Sequence, residues 1–260
     1  VAVSRADALV WDGSILRLDG VEYLVALFRR DLTTPERFVI WKTRQLLEAS
    51  LRLMDRLDAR RIVELGIAQG GSTALFATYA ADAQVAALDH STERIEPLDT
   101  YLADAGFVDR VHLAYGVDQA DRAAVLAAIE PLGSEPLDLV LDDASHRYAE
   151  TVASFDLLFP RLRPGGVYAV EDWDWGHLDA AVELAASSPD SAGWWPGGTP
   201  LTRLAFEATL ATADPEVVRS VQIDRHLLRI TRGGADLDPE TFRLADHVSR
   251  SGAALLADPD

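Results

Sequence analysis

From Arg60 onward the chain alternates short β-branched or leucine-rich runs with longer amphipathic stretches, and this alternation restricts the fold more than any other feature of the 260 residues. "RRIVELG", "AQVAALD", "DRVHLAYG", "LDLVLDD" and "GGVYAVED" read as strands, each bounded by Gly, Asp or Pro. Between them, "STALFATYAADA", "TERIEPLDTYLADAG", "ADRAAVLAAIEPLG" and "YAETVASFDLLFPRL" carry apolar residues at helical spacing. Strands joined through helices run parallel, so the pattern predicts an α/β fold, a doubly wound and mostly parallel sheet with helices on both faces. "VRSVQID" and "HLLRITRG" are too close for a crossover and are expected to pair as a terminal antiparallel hairpin, which brings the sheet to seven strands.

The first sixty residues lack this alternation. "PERFVIWKTRQLLEASLRLMDRL" has a proline suited to a helix start and apolar residues at helical spacing, which predicts one long helix or two short ones over the sheet. The expected organisation is a helical cover at 1–59 and one compact ligand-binding unit at 60–260. At 48% hydrophobic content such a length buries a full core. The absence of cysteine excludes disulfides, thiolate metal sites and cysteine nucleophiles. A net charge of −18 repels phosphate backbones and anionic lipid, so neither nucleic acid nor membrane is an expected partner. With no apolar run of membrane-spanning length and no leader-like start, the reading is cytoplasmic.

"VELGIAQGGST" follows the first strand of the sheet and opens a helix, a setting in which Gly66, Gly70 and Gly71 let backbone approach a ligand. A nicotinamide cofactor is one candidate. The loop departs from G-x-G-x-x-G, however, because Ala68 replaces the second glycine and the carboxylate of Glu64 precedes the first. That acid disfavours a pyrophosphate and favours an ammonium or sulfonium group. Asp89 ends the second strand, where a carboxylate binds a ribose diol, and "YGVDQAD" offers Asp118 to an adenine.

Together these features resemble the class I S-adenosylmethionine-dependent methyltransferases, with their E-x-G-x-x-x-G first strand, acid after the second strand, terminal hairpin and Rossmann-like sheet. The resemblance covers roughly Arg60 to Gly233. It implies S-adenosylmethionine as cofactor, with Glu64, Gly66, Ala68, Ser72, Asp89, Asp118 and Asp142 around it.

Asp142 and Asp143 end the fourth strand of the sheet, and Glu171 and Asp172 end the fifth. Parallel strands deliver both pairs to the edge where ligands bind. Clustered carboxylates repel one another, so protons or a cation must neutralise them; with oxygen donors and no sulfur, magnesium is favoured, with manganese or calcium as substitutes. D-x-S-H after the fourth strand, then "LFPRLRPGG" and "VYAVED", resembles the magnesium-dependent sugar O-methyltransferases, the macrolide deoxysugar and cephalosporin hydroxylase-like family. Matched by position, the resemblance implies Asp143, Glu171 and Asp172 as metal ligands and His146 as general base. It further implies methyl transfer to a hydroxyl of a saccharide or glycosylated metabolite, a small-molecule or oligosaccharide acceptor, and a homo-oligomer. A catechol O-methyltransferase and a non-catalytic S-adenosylmethionine-binding protein are the alternatives. His177 reads as structural. Trp173, Trp175, Trp194 and Trp195 read equally as sugar platforms or as packing.

Overall fold

The computed structural model describes residues 4–27, 29, 32–179, 183, 198–225 and 227–256. The chain divides into two compact units, Val1–Asp118 with Ala124–Glu135, and Gln119–Ala123 with Pro136–Asp260.

In the first unit, β1 (Trp11–Asp12), β2 (Ile15–Leu18) and β3 (Val21–Val25) pair antiparallel in sequence, and β4 (Arg37–Ile40) adds parallel to β3. The N-terminal segment thus differs from the helical reading, which holds only for α1 (Arg44–Leu57). The cause is local. Asp19 and Gly20 both take positive φ, 48° and 84°, making the Asp-Gly turn whose twist suits a two-residue hairpin. Pro35 does not open a helix: Thr34 and Arg37 exchange backbone bonds of 2.7 and 3.1 Å across it, so it sits in a tight turn. "RFVI", rich in strand formers, then becomes β4, and the helix waits for Thr43, whose Oγ1 accepts the Leu46 amide at 3.2 Å as N-cap. Helix α1 buries Leu46, Leu47, Leu51, Leu53 and Met54.

The rest of that unit follows the predicted alternation. The parallel strands β5 (Arg61–Leu65), β6 (Gln84–Asp89) and β7 (Val111–Tyr115) alternate with α2 (Gly71–Tyr79) and α3 (Glu96–Asp104), and α4 (Arg122–Ile129) follows β7. Every residue of α2 is buried. A Cβ on Gly71 would run into the carbonyl oxygen of Val39, so β4 lies directly on the start of α2 and only glycine fits there.

The second unit contains β8 (Leu137–Asp142), α5 (Tyr148–Leu158), β9 (Leu162–Glu171), α6 (Thr202–Ala211), β10 (Val218–Asp224), β11 (Leu227–Arg232) and the short α7 (Arg250–Leu255). Strands β8 and β9 are parallel, while β11 runs antiparallel to both β9 and β10, forming the expected hairpin. The strand order is β10-β11-β9-β8-β5-β6-β7, the seven-stranded doubly wound sheet read from the alternation. Among the described residues no helix is long and apolar enough to cross a membrane.

Candidate active site

The glycine loop leaves β5 through Gly66, whose φ of 100° and amide bond to the Leu88 carbonyl at 2.8 Å turn the chain over β6. Ala68 follows at φ 48°, a left-handed conformation that costs a non-glycine residue about 1 kcal/mol or more. Asp89 offsets that cost. Its Oδ2 accepts the amides of Ile67 and Ala68 at 2.8 and 2.9 Å, and its Oδ1 accepts the Ser91 amide at 2.8 Å. Gly70, at φ 76°, then serves as N-cap of α2 without a side-chain cap bond. Glu64 is 2% exposed and accepts the Thr73 hydroxyl at 2.7 Å, which ties β5 to α2. Ser72 is buried in the first turn of α2, and Asp118 is exposed beyond β7. The structure therefore gathers Glu64, Gly66, Ala68, Ser72 and Asp89 around one preformed loop.

In the second unit the two members of the first carboxylate pair have different surroundings. Asp142 is 2% exposed and accepts from the Tyr168 hydroxyl at 2.6 Å, the Ser154 hydroxyl at 3.2 Å, the Gln119 amide nitrogen at 3.3 and 3.4 Å and the Ala144 amide at 3.4 Å. Burial pushes its carboxyl above the usual range, against the pull of those hydrogen bonds. Asp143, one residue on, faces the His146 Nε2 at 3.8 Å. Asp172 completes the group: ligand atoms of Asp143, His146 and Asp172 all lie within 4.8 Å of one another, the one set among the described residues with such spacing. Donors about 2.1 Å from a divalent ion are about 3–4.2 Å from one another around an octahedron, so the trio is near the spacing a metal requires. Glu171 is 1% exposed at the end of β9 and lies outside that trio.

Two of the three members hold strained backbone. His146 has φ 53° and Asp172 φ 52°, and neither conformation is favourable without support from the surroundings. The His146 ring packs on Trp175, with centroids 4.6 Å apart and 31° between planes. Trp173 instead donates its Nε1 to the Asp224 carbonyl at 3.1 Å, and His177 Nε2 meets the Thr202 hydroxyl at 2.6 Å, consistent with a structural histidine. Trp194 and Trp195 lie outside the described residues. Sequence reasoning missed Gln119, Ser154 and Tyr168. A tyrosine inside the apolar run "GGVYAVED" was the one available signal, since a buried hydroxyl calls for a partner.

Residues 63–173 match a family of methyltransferase domains. This part of the chain is similar to methyltransferase domains. The chain is 48% identical over 63 residues to the 8-demethyl-8-alpha-L-rhamnosyl tetracenomycin-C 2'-O-methyltransferase of Streptomyces olivaceus, covering 24% of this chain and 16% of that protein. It is 32% identical over 125 residues to the mycinamicin VI 2''-O-methyltransferase of Micromonospora griseorubida, covering 43% and 27%. Among solved structures it is similar in fold to an O-methyltransferase from Bacillus cereus in complex with SAH, with TM-score 0.51, 19% identity and coverage of 74% and 82%. It also resembles the MycE methyltransferase of the mycinamycin pathway in complex with Mg and SAH, with TM-score 0.50, 21% identity and coverage of 71% and 48%. The matched part of the chain spans less than half the length of these curated relatives and of MycE.

Proposed function

We propose that this chain is a metal-dependent O-methyltransferase that moves a methyl group from S-adenosylmethionine to a hydroxyl of a saccharide or glycosylated metabolite. The observation that carries the reading is the convergence of Asp143, His146 and Asp172 within 4.8 Å, in a chain whose matched relatives are named as O-methyltransferases of a rhamnosyl tetracenomycin and of mycinamicin. The donor set fits a hard divalent ion, because it offers carboxylate oxygen with imidazole and no sulfur. Bound S-adenosylmethionine supplies an electrophilic methyl, and a bound divalent ion supplies acidification of the acceptor hydroxyl.

The chain's own residues supply the remainder. Asp143 and Asp172 would hold the ion, with Glu171, buried at the end of β9 and outside the trio, as the third ligand that the sequence resemblance implies. His146 would accept the acceptor's proton at Nε2, the nitrogen that faces Asp143, and Trp175 packs against its ring. Glu64, Gly66, Ala68, Ser72, Asp89 and Asp118 hold the cofactor, on a loop whose shape is fixed by Asp89 before any ligand arrives.

The decisive experiment follows a labelled methyl from S-adenosylmethionine to a panel of deoxysugar glycosides and catechols, with magnesium and then with excess chelator. Chelator-sensitive transfer to the glycosides supports the reading. Full transfer in chelator removes the metal, transfer to catechols alone removes the saccharide, and cofactor binding without transfer to any acceptor removes the catalytic role.

A further inference from the structure

Gln119 lies between Asp118 and the start of α4, is 7% exposed, and bonds in three directions. Its Oε1 accepts the Ser145 amide at 2.9 Å, a residue 26 positions away. Its Nε2 donates to the Ser154 hydroxyl on α5 at 3.0 Å and to the two oxygens of Asp142 at 3.4 and 3.3 Å. Ser145 stands between Asp143 and His146, in the loop where His146 is held at φ 53°. Two shorter-range bonds also support the loop, the Ala144 amide to Asp142 Oδ1 at 3.4 Å and the Arg147 amide to Ser145 Oγ at 3.2 Å, and the His146 ring packs on Trp175.

From this geometry we propose that Gln119 is a positioning residue for the Asp143–His146 loop. It clamps the Ser145 amide to the end of β8 and to α5, so that the carboxylate of Asp143 and the imidazole of His146 are presented together. The inference rests on the function proposed above. A primary amide suits the role for a chemical reason. It offers an acceptor to a backbone amide and, from the same group, a donor to a buried carboxylate. Without it, the Ser145 amide loses a buried acceptor and the left-handed His146 loses a restraint, so the loop is expected to relax. Metal affinity and proton transfer then fall together, while the strand and helix that carry the loop remain intact. Partners that orient metal ligands from outside the coordination shell typically change affinity by about 10–100-fold when removed.

The test uses Gln119→Ala, Gln119→Glu and the exchanged pair Gln119→Glu with Asp142→Asn. The exchange keeps one carboxylate and one amide but reverses their order, so that the Ser145 amide, the Ser154 hydroxyl and the Tyr168 hydroxyl all retain acceptors. Hydrogen exchange of amides 145–147 is read in the metal-free protein, the Ala144 amide being set aside because Asp142→Asn turns an NH2 group toward it, and manganese affinity is read by electron paramagnetic resonance. In Gln119→Ala the loop amides should exchange at least about tenfold faster with β8 and α5 unchanged, and manganese should bind about tenfold more weakly with cofactor affinity preserved. Gln119→Glu should behave likewise, because its carboxylate faces that of Asp142, and the exchanged pair should recover both readouts. The proposal is overturned if loop exchange stays at the parent rate, if exchange accelerates throughout the unit in step with a lower Tm, or if the pair recovers Tm without recovering the loop. Should Gln119→Ala fail to fold, the comparison of Gln119→Glu with the exchanged pair decides in its place. Should the parent protein bind no manganese, the metal reading falls, and loop exchange alone still decides the role of Gln119.

Discussion

Asp89 ends β6 in the first unit and Asp143 directly follows β8 in the second, yet the two acids meet opposite surroundings. Asp89 accepts three backbone amides from the chain that turns above it. Asp143 gathers instead with His146 and Asp172. What separates them is which residue fastens the neighbouring loop. In the first unit the strand-end acid does so itself. In the second, the preceding Asp142 and the distant Gln119 take that task, holding Ala144 and Ser145. One side of the comparison is an acid that fastens its own loop, and the other is an acid gathered with a histidine and a second acid.

The sharpest break in that comparison is expected at Asp143. Asp143→Ala, like excess chelator, should abolish methyl transfer while calorimetric affinity for S-adenosylmethionine stays at the parent value, because the residues assigned to the cofactor loop are untouched. Next comes His146→Ala, which should lower kcat by about 10²–10⁴-fold with little change in manganese binding, and recover in part as pH rises and hydroxide replaces the base. If manganese binding is lost together with kcat, His146 is a ligand and not a base, as its place in the trio also permits. A smaller effect is expected at the other pole. Asp89→Ala leaves the Ile67, Ala68 and Ser91 amides without their acceptor, and removing a charged partner costs about 1.5–3 kcal/mol, or about 10–100-fold in cofactor affinity. Manganese affinity should not move. If Asp89→Ala binds cofactor as tightly as the parent, the loop does not depend on its acid and the contrast between the two units disappears.

The sheet and the acids at its strand ends were legible because charge that terminates an apolar run is a local signal, readable within six or seven residues. Asp143 and Asp172 could be placed at one edge from strand direction, and His146 from the family resemblance; the structure brings these three together and leaves Glu171, read as the third ligand, outside the group. Three things were less accessible. The four-stranded N-terminal sheet is built from strands of two to five residues, too short for period-two alternation to emerge, although Asp12-Gly13 and Asp19-Gly20 both carried the hairpin signal. Asp142 reads the same as Asp143 in sequence, and only the pleat decides that one points into Tyr168 and Ser154. Gln119 belongs to no periodic pattern, and its partners lie 23, 26 and 35 residues away, so nothing local announces it.

A third acid sets the lower limit of the comparison. Asp156 on α5 is 9% exposed; its Oδ1 accepts the Leu244 amide at 2.9 Å and its Oδ2 is 4.0 Å from the Arg243 Nε. One amide and one distant guanidinium do not compensate for burial, which pushes the carboxyl up to about 6. An unfolded aspartate titrates near about 3.9. Between those values the folded chain keeps a proton that the unfolded chain has released, so stability falls as pH rises through the window from about 4 to about 6 and stays lower above it. The full difference would be about 3 kcal/mol, and residual exposure and relaxation reduce it to about 1–2 kcal/mol. Asp156→Asn removes the charge but keeps an oxygen for the Leu244 amide. The variant should therefore match the parent near pH 4 and exceed it at pH 7 by about 1–2 kcal/mol, a rise in Tm of about 2–8 °C. Thermal melts from pH 4 to pH 8 measure this directly. A constant offset between variant and parent across that range would show that the Asp156 carboxyl is not the titrating group and that the Arg243 charge compensates for its burial.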